Sequence, residues 1–374
     1  MKMRAAVLRE SGLPRPYSSS RPLSIEEVDL EAPREGEVLI QIKAVGLCHS
    51  DLVAISGERG KPMPIVVGHE AAGIIVELGK NVIDFEVGNH VVPSYVASCG
   101  KCDMCKNGRP ALCEPATISN AQAVLRDGTT RLKKDGKIIH HHSGVAGFAE
   151  YAVLPKEALV KIDRHIPFEH AALFGCGVVT GVGAVINTAN AREEDSVAIV
   201  GLGGVGLSAL LASIAIGSKK TIAIDLSEEK LALARELGAD HTLNPKDENF
   251  LEKIRDLTSG GVNIAVETAG SGHALKTAYD ITRRGGTTVT AGMPGPKVEI
   301  TLSHLSIAAE ERIIKGSYMG SCIAKRDIPK YLDMFQTGNL PVDRLLSRKI
   351  KFEDLNEAMD RLDDAKTVRE VLIP

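Results

Sequence analysis

Tryptophan is absent from the 374-residue chain, and aromatic side chains of every kind make up only 3% of it. Proteins that grip single-stranded nucleic acid stack bases on aromatic platforms, and this chain has too few rings for that. An excess of positive charge is missing as well. The 45 Lys and Arg face 48 Asp and Glu, leaving a formal net charge of −3 and no basic field to hold a duplex. No apolar run approaches the roughly 18 residues that a membrane-spanning helix needs. Near the start, Glu10 interrupts the chain too early for a secretory hydrophobic segment. These absences predict no nucleic-acid partner, no membrane partner and a reducing, cytoplasmic setting. At this length one core is not enough, and two domains are expected.

Cysteine is present in an odd number, seven, and four of the seven crowd into one stretch. It runs Cys99-Gly-Lys-Cys102-Asp-Met-Cys105-Lys-Asn-Gly-Arg-Pro-Ala-Leu-Cys113. Intervals this short let the backbone fold back so that all four thiols meet one ion. Disulfides would need an oxidising compartment, which nothing else in the chain suggests. Four thiolates make a closed tetrahedral cage, suited to a structural zinc that does no chemistry.

Along the first hundred residues, short apolar stretches are bounded by Gly and Pro. Residues 37–44 alternate, with Val38, Ile40 and Ile42 on one face, and the pattern predicts a small barrel or sandwich. Residues 115–147 are polar and irregular, and include His140-His141-His142. Neighbours on a strand point to opposite faces, so these three are not expected to converge on a metal. From Asp195 the texture changes to strands alternating with helices, which predicts a doubly wound parallel sheet. Two amphipathic helices, near 325–336 and 352–364, follow in the tail.

Within that alternating part, Gly201-Leu-Gly203-Gly204-Val205-Gly206 follows a strand and opens a helix, and Asp225 ends the next strand. In such a loop Gly201 allows the tight turn, Gly203 lets the backbone approach a pyrophosphate, and Gly206 lets helix and strand pack closely. The helix beyond offers free N–H groups and the positive end of its dipole to the phosphates. Asp225 would accept from ribose hydroxyls and repel a 2′-phosphate, which favours NAD over NADP.

Six segments follow one another along the chain: Gly46-Leu-Cys48-His49-Ser50-Asp51, Gly68-His69-Glu70, the cysteine stretch, Phe148-Ala-Glu150-Tyr151, Phe174-Gly-Cys176-Gly and the glycine loop. Singly, Cys48 or His69 proves nothing, because a lone Cys or His is more often a packing residue. In this order they resemble the zinc-containing medium-chain alcohol dehydrogenases, over essentially the whole chain. The long segment before Phe148 is similar to that of the liver-like, class III-like branch, which includes glutathione-dependent formaldehyde dehydrogenase.

The resemblance implies a GroES-like, β-rich catalytic domain of residues 1–178 and 320–374, carrying the zinc lobe at 99–113, and a Rossmann NAD-binding domain of residues 179–319. It implies two zinc ions per chain. Cys99, Cys102, Cys105 and Cys113 would hold the structural one. Cys48, His69 and Cys176 would hold the catalytic one, with Glu70 behind it or serving as an alternate ligand. Asp51 would orient the His69 ring, Ser50 would take the alcohol proton, and Tyr95 would line the substrate channel. Gly201, Gly203, Gly204, Val205 and Gly206 would cradle the phosphates, Asp225 and Lys230 the adenosine end, and His49 and Arg369 the pyrophosphate.

The implied reaction interconverts primary, aromatic or secondary alcohols with aldehydes or ketones, using NAD, in a homodimer. Two departures bear on it. Val53 stands where the liver-type proton relay usually ends in histidine, so His49 or a water chain is expected to take over. Thr117 stands where the formaldehyde branch carries an arginine for the glutathione carboxylate, which favours an ordinary alcohol over the glutathione adduct. A third possibility, a non-catalytic structural or binding member of the fold, sits poorly with the retained Cys48, Ser50, His69 and Cys176.

Overall fold

Alternating apolar residues make Glu37–Gly46 (β1) the central strand of its sheet, with Val38, Ile40, Ile42 and Val45 in the core. It pairs antiparallel with Glu70–Leu78 (β2) along one edge. Along the other edge lie Tyr151–Pro155 and, at its C-terminal end, Arg369–Leu372. His90–Pro93, Leu159–Lys161 and Leu346–Ile350 complete this seven-stranded sheet. Five further strands, Lys2–Leu8, Leu23–Leu30, Leu132–Lys134, Lys137–His141 and Ile65–Val66, close into a barrel. The computed structural model describes the whole chain, Met1–Pro374. These strands belong to a first compact unit of Met1–Cys176, Ile323–Gln336 and Asp343–Pro374.

The structure departs from the sequence pattern in two places. The first hundred residues are not all β, because Cys48 caps an eight-residue helix, His49–Ser56 (α1). Residues 115–147 are not irregular either. They hold a helix, Glu114–Gln122 (α2), and a hairpin joining Leu132–Lys134 to Lys137–His141. Asp135 and Gly136 form the hairpin turn, both with positive φ (50° and 73°), the conformation that an Asp-Gly pair favours in a two-residue turn. The fully buried Arg131 beside this hairpin donates to both carboxylate oxygens of Glu37, through Nε at 2.9 Å and Nη2 at 2.5 Å.

The second unit comprises Gly177–Cys322 and Thr337–Val342. Its centre is Ser196–Val200 (β3), buried at every position as a parallel strand covered on both faces must be. After β3 come the helix Gly204–Ala215 (α3), the strand Lys220–Ile224 (β4) and the helix Glu228–Leu237 (α4). The sheet is parallel throughout, in the order His241–Leu243, β4, β3, Val262–Glu267, Thr282–Thr290, Ile313–Gly316 (β5). The chain builds outward from β3 in one direction and then returns to build in the other. That reversal leaves a crevice at the carboxyl end of β3, where the glycine loop lies. No single helix is long and apolar enough to cross a membrane.

Candidate functional site

Strand register assembles the first cluster. Gly46, the last residue of β1, lies opposite Glu70 on one side and Val371 on the other. The residue before Glu70 is His69, and two residues beyond Gly46 is Cys48, so pairing alone draws them together. Glycine at position 46 leaves room for the buried Glu70 and Leu173 side chains, since a Cβ there would stand 2.7 Å from Glu70 Oε2 and 3.2 Å from Leu173 Cδ2. Asp51, on the first turn of α1, then ties the segments together. Its Oδ2 accepts from the Cys48 N–H at 3.1 Å, and its Oδ1 from the Gly68 N–H and His69 Nδ1, each at 3.1 Å. Cys176 arrives after the turn Ala172–Gly175. That turn packs closely against β2, which the missing side chain of Gly175 permits, since a Cβ there would meet Glu70 Cα at 3.1 Å.

The outcome is a buried group, Cys48, His69, Glu70 and Cys176, whose candidate ligand atoms all lie within 4.8 Å of one another. With Nδ1 engaged by Asp51, His69 keeps Nε2 for an ion. Two sulfurs and an imidazole suit zinc, and three ligands leave a position open. Arg369 is buried beside them and donates through Nη1 to the Leu47 carbonyl and to Glu70 Oε1, both at 3.2 Å.

Charge is tightly coupled in this cluster. The hydrogen bond between Cys48 and Cys176 splits the pair. It pulls the Cys48 thiol well below its usual value, helped by His69 and Arg369 against burial, and together with burial it pushes Cys176 well above. Burial pushes Glu70 up to about 8 in spite of Arg369. Burial also works against ionised Asp51, but His69 and His142 outweigh it and hold the carboxylate well below the usual range.

In the cysteine lobe the four thiols again lie within 4.8 Å of one another, and none is in a disulfide. Cys99 and Cys105 are separated by 4.0 Å at sulfur, and Cys102 and Cys113 by 3.9 Å. A tetrahedron of zinc–sulfur bonds near 2.3 Å has an edge of roughly 3.8 Å, so the cage has the size of a zinc site. The backbone N–H groups of Lys101 and Cys102 point at Cys99 sulfur and lower its pKa to about 6, readying it as a thiolate ligand.

The glycine loop divides its labour as the motif requires. Gly201 has φ +93° and its Cβ would lie 2.8 Å from the Ala269 backbone, and a Cβ on Gly206 would strike the Gly201 carbonyl at 1.8 Å. At Gly203, which precedes α3, a Cβ would meet nothing within 4 Å, and the open space suits a diphosphate. Asp225, just past β4, accepts from Leu202 N–H at 2.6 Å and Ser227 N–H at 2.9 Å, which ties the acid to the loop.

Residues 34–164 match the family model of the alcohol dehydrogenase GroES-like domain, and 204–337 that of zinc-binding dehydrogenases. The S-(hydroxymethyl)glutathione dehydrogenase of Synechocystis sp. is 35% identical over 376 aligned positions, covering all of both chains. The chain belongs to the zinc-containing medium-chain alcohol dehydrogenases. Among solved structures, an alcohol dehydrogenase zinc-binding domain protein from Burkholderia ambifaria superposes with a TM-score of 0.94 at 33% identity, over 100% of this chain and 99% of that one. Benzyl alcohol dehydrogenase from Acinetobacter calcoaceticus does so with 0.93 at 32%, with the same coverage. The fold is therefore the GroES-like β-rich domain joined to a Rossmann domain, and the protein is an NAD-dependent zinc alcohol dehydrogenase.

For this alcohol dehydrogenase the remaining residues fall as follows. His49 is exposed at the start of α1, with Ser50 half-buried next to it. Val53, also on α1, offers no polar atom. Tyr95 sets its ring edge against His69, with centroids 5.7 Å apart. Lys230 lies on the first turn of α4, where its N–H approaches the capping Ser227 Oγ at 3.4 Å. One residue of the cluster escaped the sequence. His142 is buried, with Nδ1 3.2 Å from Asp51 Oδ1 and its ring edge-on to His69. The strand ends at His141, so the third histidine leaves the alternation that kept the three apart.

Proposed function

We propose that this dehydrogenase interconverts primary alcohols, aromatic ones included, with their aldehydes, in preference to the glutathione adduct of formaldehyde. The observation that carries this is Thr117. In the formaldehyde branch an arginine shortly after the fourth cage cysteine would meet a carboxylate. Here the Thr117 hydroxyl donates to the Cys113 carbonyl at 3.0 Å, within its own helix. The edge of Tyr95 beside His69 gives the site an aromatic wall suited to an apolar substrate. The 35% identity to an S-(hydroxymethyl)glutathione dehydrogenase favours the second reading, the adduct itself. Turnover of formaldehyde with and without glutathione, against benzyl alcohol, decides between them. Benzyl alcohol should be the better substrate and glutathione should change nothing; a large stimulation by glutathione would sink the first reading.

In this reading Cys48, His69 and Cys176 hold the catalytic zinc, Glu70 and Arg369 stand behind it, and the four-cysteine lobe holds the second. Zinc, when bound, supplies a Lewis acid that polarises the substrate oxygen. Ser50 takes the proton of the alcohol, and His49, exposed beside it, passes the proton to solvent in place of the missing histidine at Val53. Asp225 and Lys230 hold the adenosine end, Gly201 to Gly206 the phosphates, and Arg369 with His49 the pyrophosphate. The catalytic task falls to residues 1–178 and 320–374, with His49 and Arg369 among them, and the glycine loop and the adenosine contacts to 179–319. The protein acts as a homodimer in the cytoplasm, where a reducing medium keeps the cage thiols available.

A further inference from the structure

Asp51 is shared by more groups than a carboxylate orienting one histidine needs. Besides the N–H groups of Cys48 and Gly68 and the ring of His69, it faces a second imidazole, that of His142, at 3.2 Å. We infer that His142 is a positioning residue for the metal centre: it fixes the Asp51 carboxylate, and through it the His69 ring, in the orientation that binds zinc. The inference rests on the reading of Cys48, His69 and Cys176 as zinc ligands.

Backbone geometry aims His142 at this spot. Its carbonyl accepts from Val145 N–H at 3.0 Å and Ala146 N–H at 3.2 Å, closing a turn in which Ser143 takes a left-handed φ of 51°. The ring stands edge-on to His69, centroids 5.3 Å apart and planes 86° apart, and 4% of the residue is exposed. Its Nδ1 is buried and makes no well-aligned hydrogen bond, and Asp51 Oδ1 is the acceptor within reach. A buried imidazole nitrogen without a partner is costly, so the ring turns its N–H to that oxygen. A neutral donor suits the task. It holds the carboxylate still yet leaves the negative charge for the His69 N–H, whereas a cation there would draw the charge away.

Two substitutions separate this role from packing. His142→Phe keeps an aromatic edge against His69 but removes the donor, and His142→Asn puts an amide N–H near the place of Nδ1. The readout is zinc transfer from the purified holoenzyme to a chromophoric chelator, with the cysteine-lobe zinc as internal reference. His142→Phe should weaken one of the two zincs by about 10–100-fold, the range for groups that orient metal ligands, with the lobe zinc unchanged. His142→Asn should recover most of the loss. Equal retention in all three proteins would overturn the inference. So would equal losses in both variants, because packing and not the donor would then matter. A parent protein holding only the lobe zinc would fail before any substitution is compared, and that result would overturn the ligand assignment itself.

Discussion

Three candidate ligand residues separated by up to 128 positions in the chain (48 to 176) come within one ion's reach through strand pairing and the contacts of Asp51. Removing one of them tests the site directly. Cys176→Ala should lower zinc from two per chain to one and abolish alcohol oxidation, while the melting temperature stays near that of the parent; a variant that still holds two zincs would remove Cys176 from the centre. At the cofactor end, Asp225 divides its oxygens between Leu202 and Ser227 N–H groups and so shapes the loop, beside the ribose contact proposed for it. Asp225→Ala should therefore raise KM for NAD and shrink the preference over NADP, with kcat changed less, in steady-state kinetics with both cofactors. An unchanged cofactor ratio would show that the acid does not read the ribose. The glycine loop was legible because each of its requirements is local: a positive φ at Gly201 and a contact at Gly206. Cys48, His69 and Cys176 were legible only through family resemblance, since no spacing rule links them. His142 was not legible at all, because its role depends on a strand ending one residue earlier.

At the scale of elements, the barrel is tied across its strands by Glu26. On the strand Leu23–Leu30, it accepts from Arg9 Nε at 2.7 Å and Nη2 at 2.6 Å, from Lys134 Nζ at 2.6 Å and from Ser24 Oγ at 2.6 Å. The Arg9 hydrogen bonds, opposed by burial and joined by Lys134 and Ser24, lower its pKa from 4.5 to about 2. A carboxylate depressed in this way contributes its full stability above the unfolded value of 4.5, and loses it as pH falls from there through 2. Arg9 is half-exposed and Lys134 a third exposed, so screening limits the contribution to about 1 kcal/mol. Urea unfolding of Glu26→Gln should show a deficit of that size at pH 7 that narrows steadily between pH 4.5 and 2, and a deficit independent of pH would refute the assignment. Such ties were invisible in sequence, as was the Asp135-Gly136 hairpin that brings Lys134 into place. The turn pair was there to be noticed, but its charged neighbours gave the segment the look of a loop. The short helix α1 was hidden for a different reason, since eight residues capped by a cysteine carry too little periodicity to stand out from the strands around them.

For the whole molecule, the doubly wound sheet leaves one end strand that is unusually apolar. β5 closes the sheet, and there Ile313 and Ile314 are 44% and 39% exposed, with Leu305 at 76% on the neighbouring helix His304–Ala309. Edge strands that stay single are commonly guarded by charge, proline or a bulge, because open N–H and C=O groups template further pairing. β5 carries only Lys315, whose ammonium donates to the Thr188 carbonyl at 3.3 Å, and its two isoleucines are exposed apolar surface that water disfavours. A second copy meeting β5 about a two-fold axis would satisfy both needs, since the same strand then serves both sides and the sheet continues across the axis. This supports the homodimer on physical grounds separate from resemblance. Light scattering of the parent protein at micromolar concentration should give twice the chain mass of 39.8 kDa, and Ile314→Lys should halve it while the isolated chain keeps its two zincs. A parent that runs as a monomer would leave the apolar edge to another partner, and a variant that stays dimeric would move the contact away from β5.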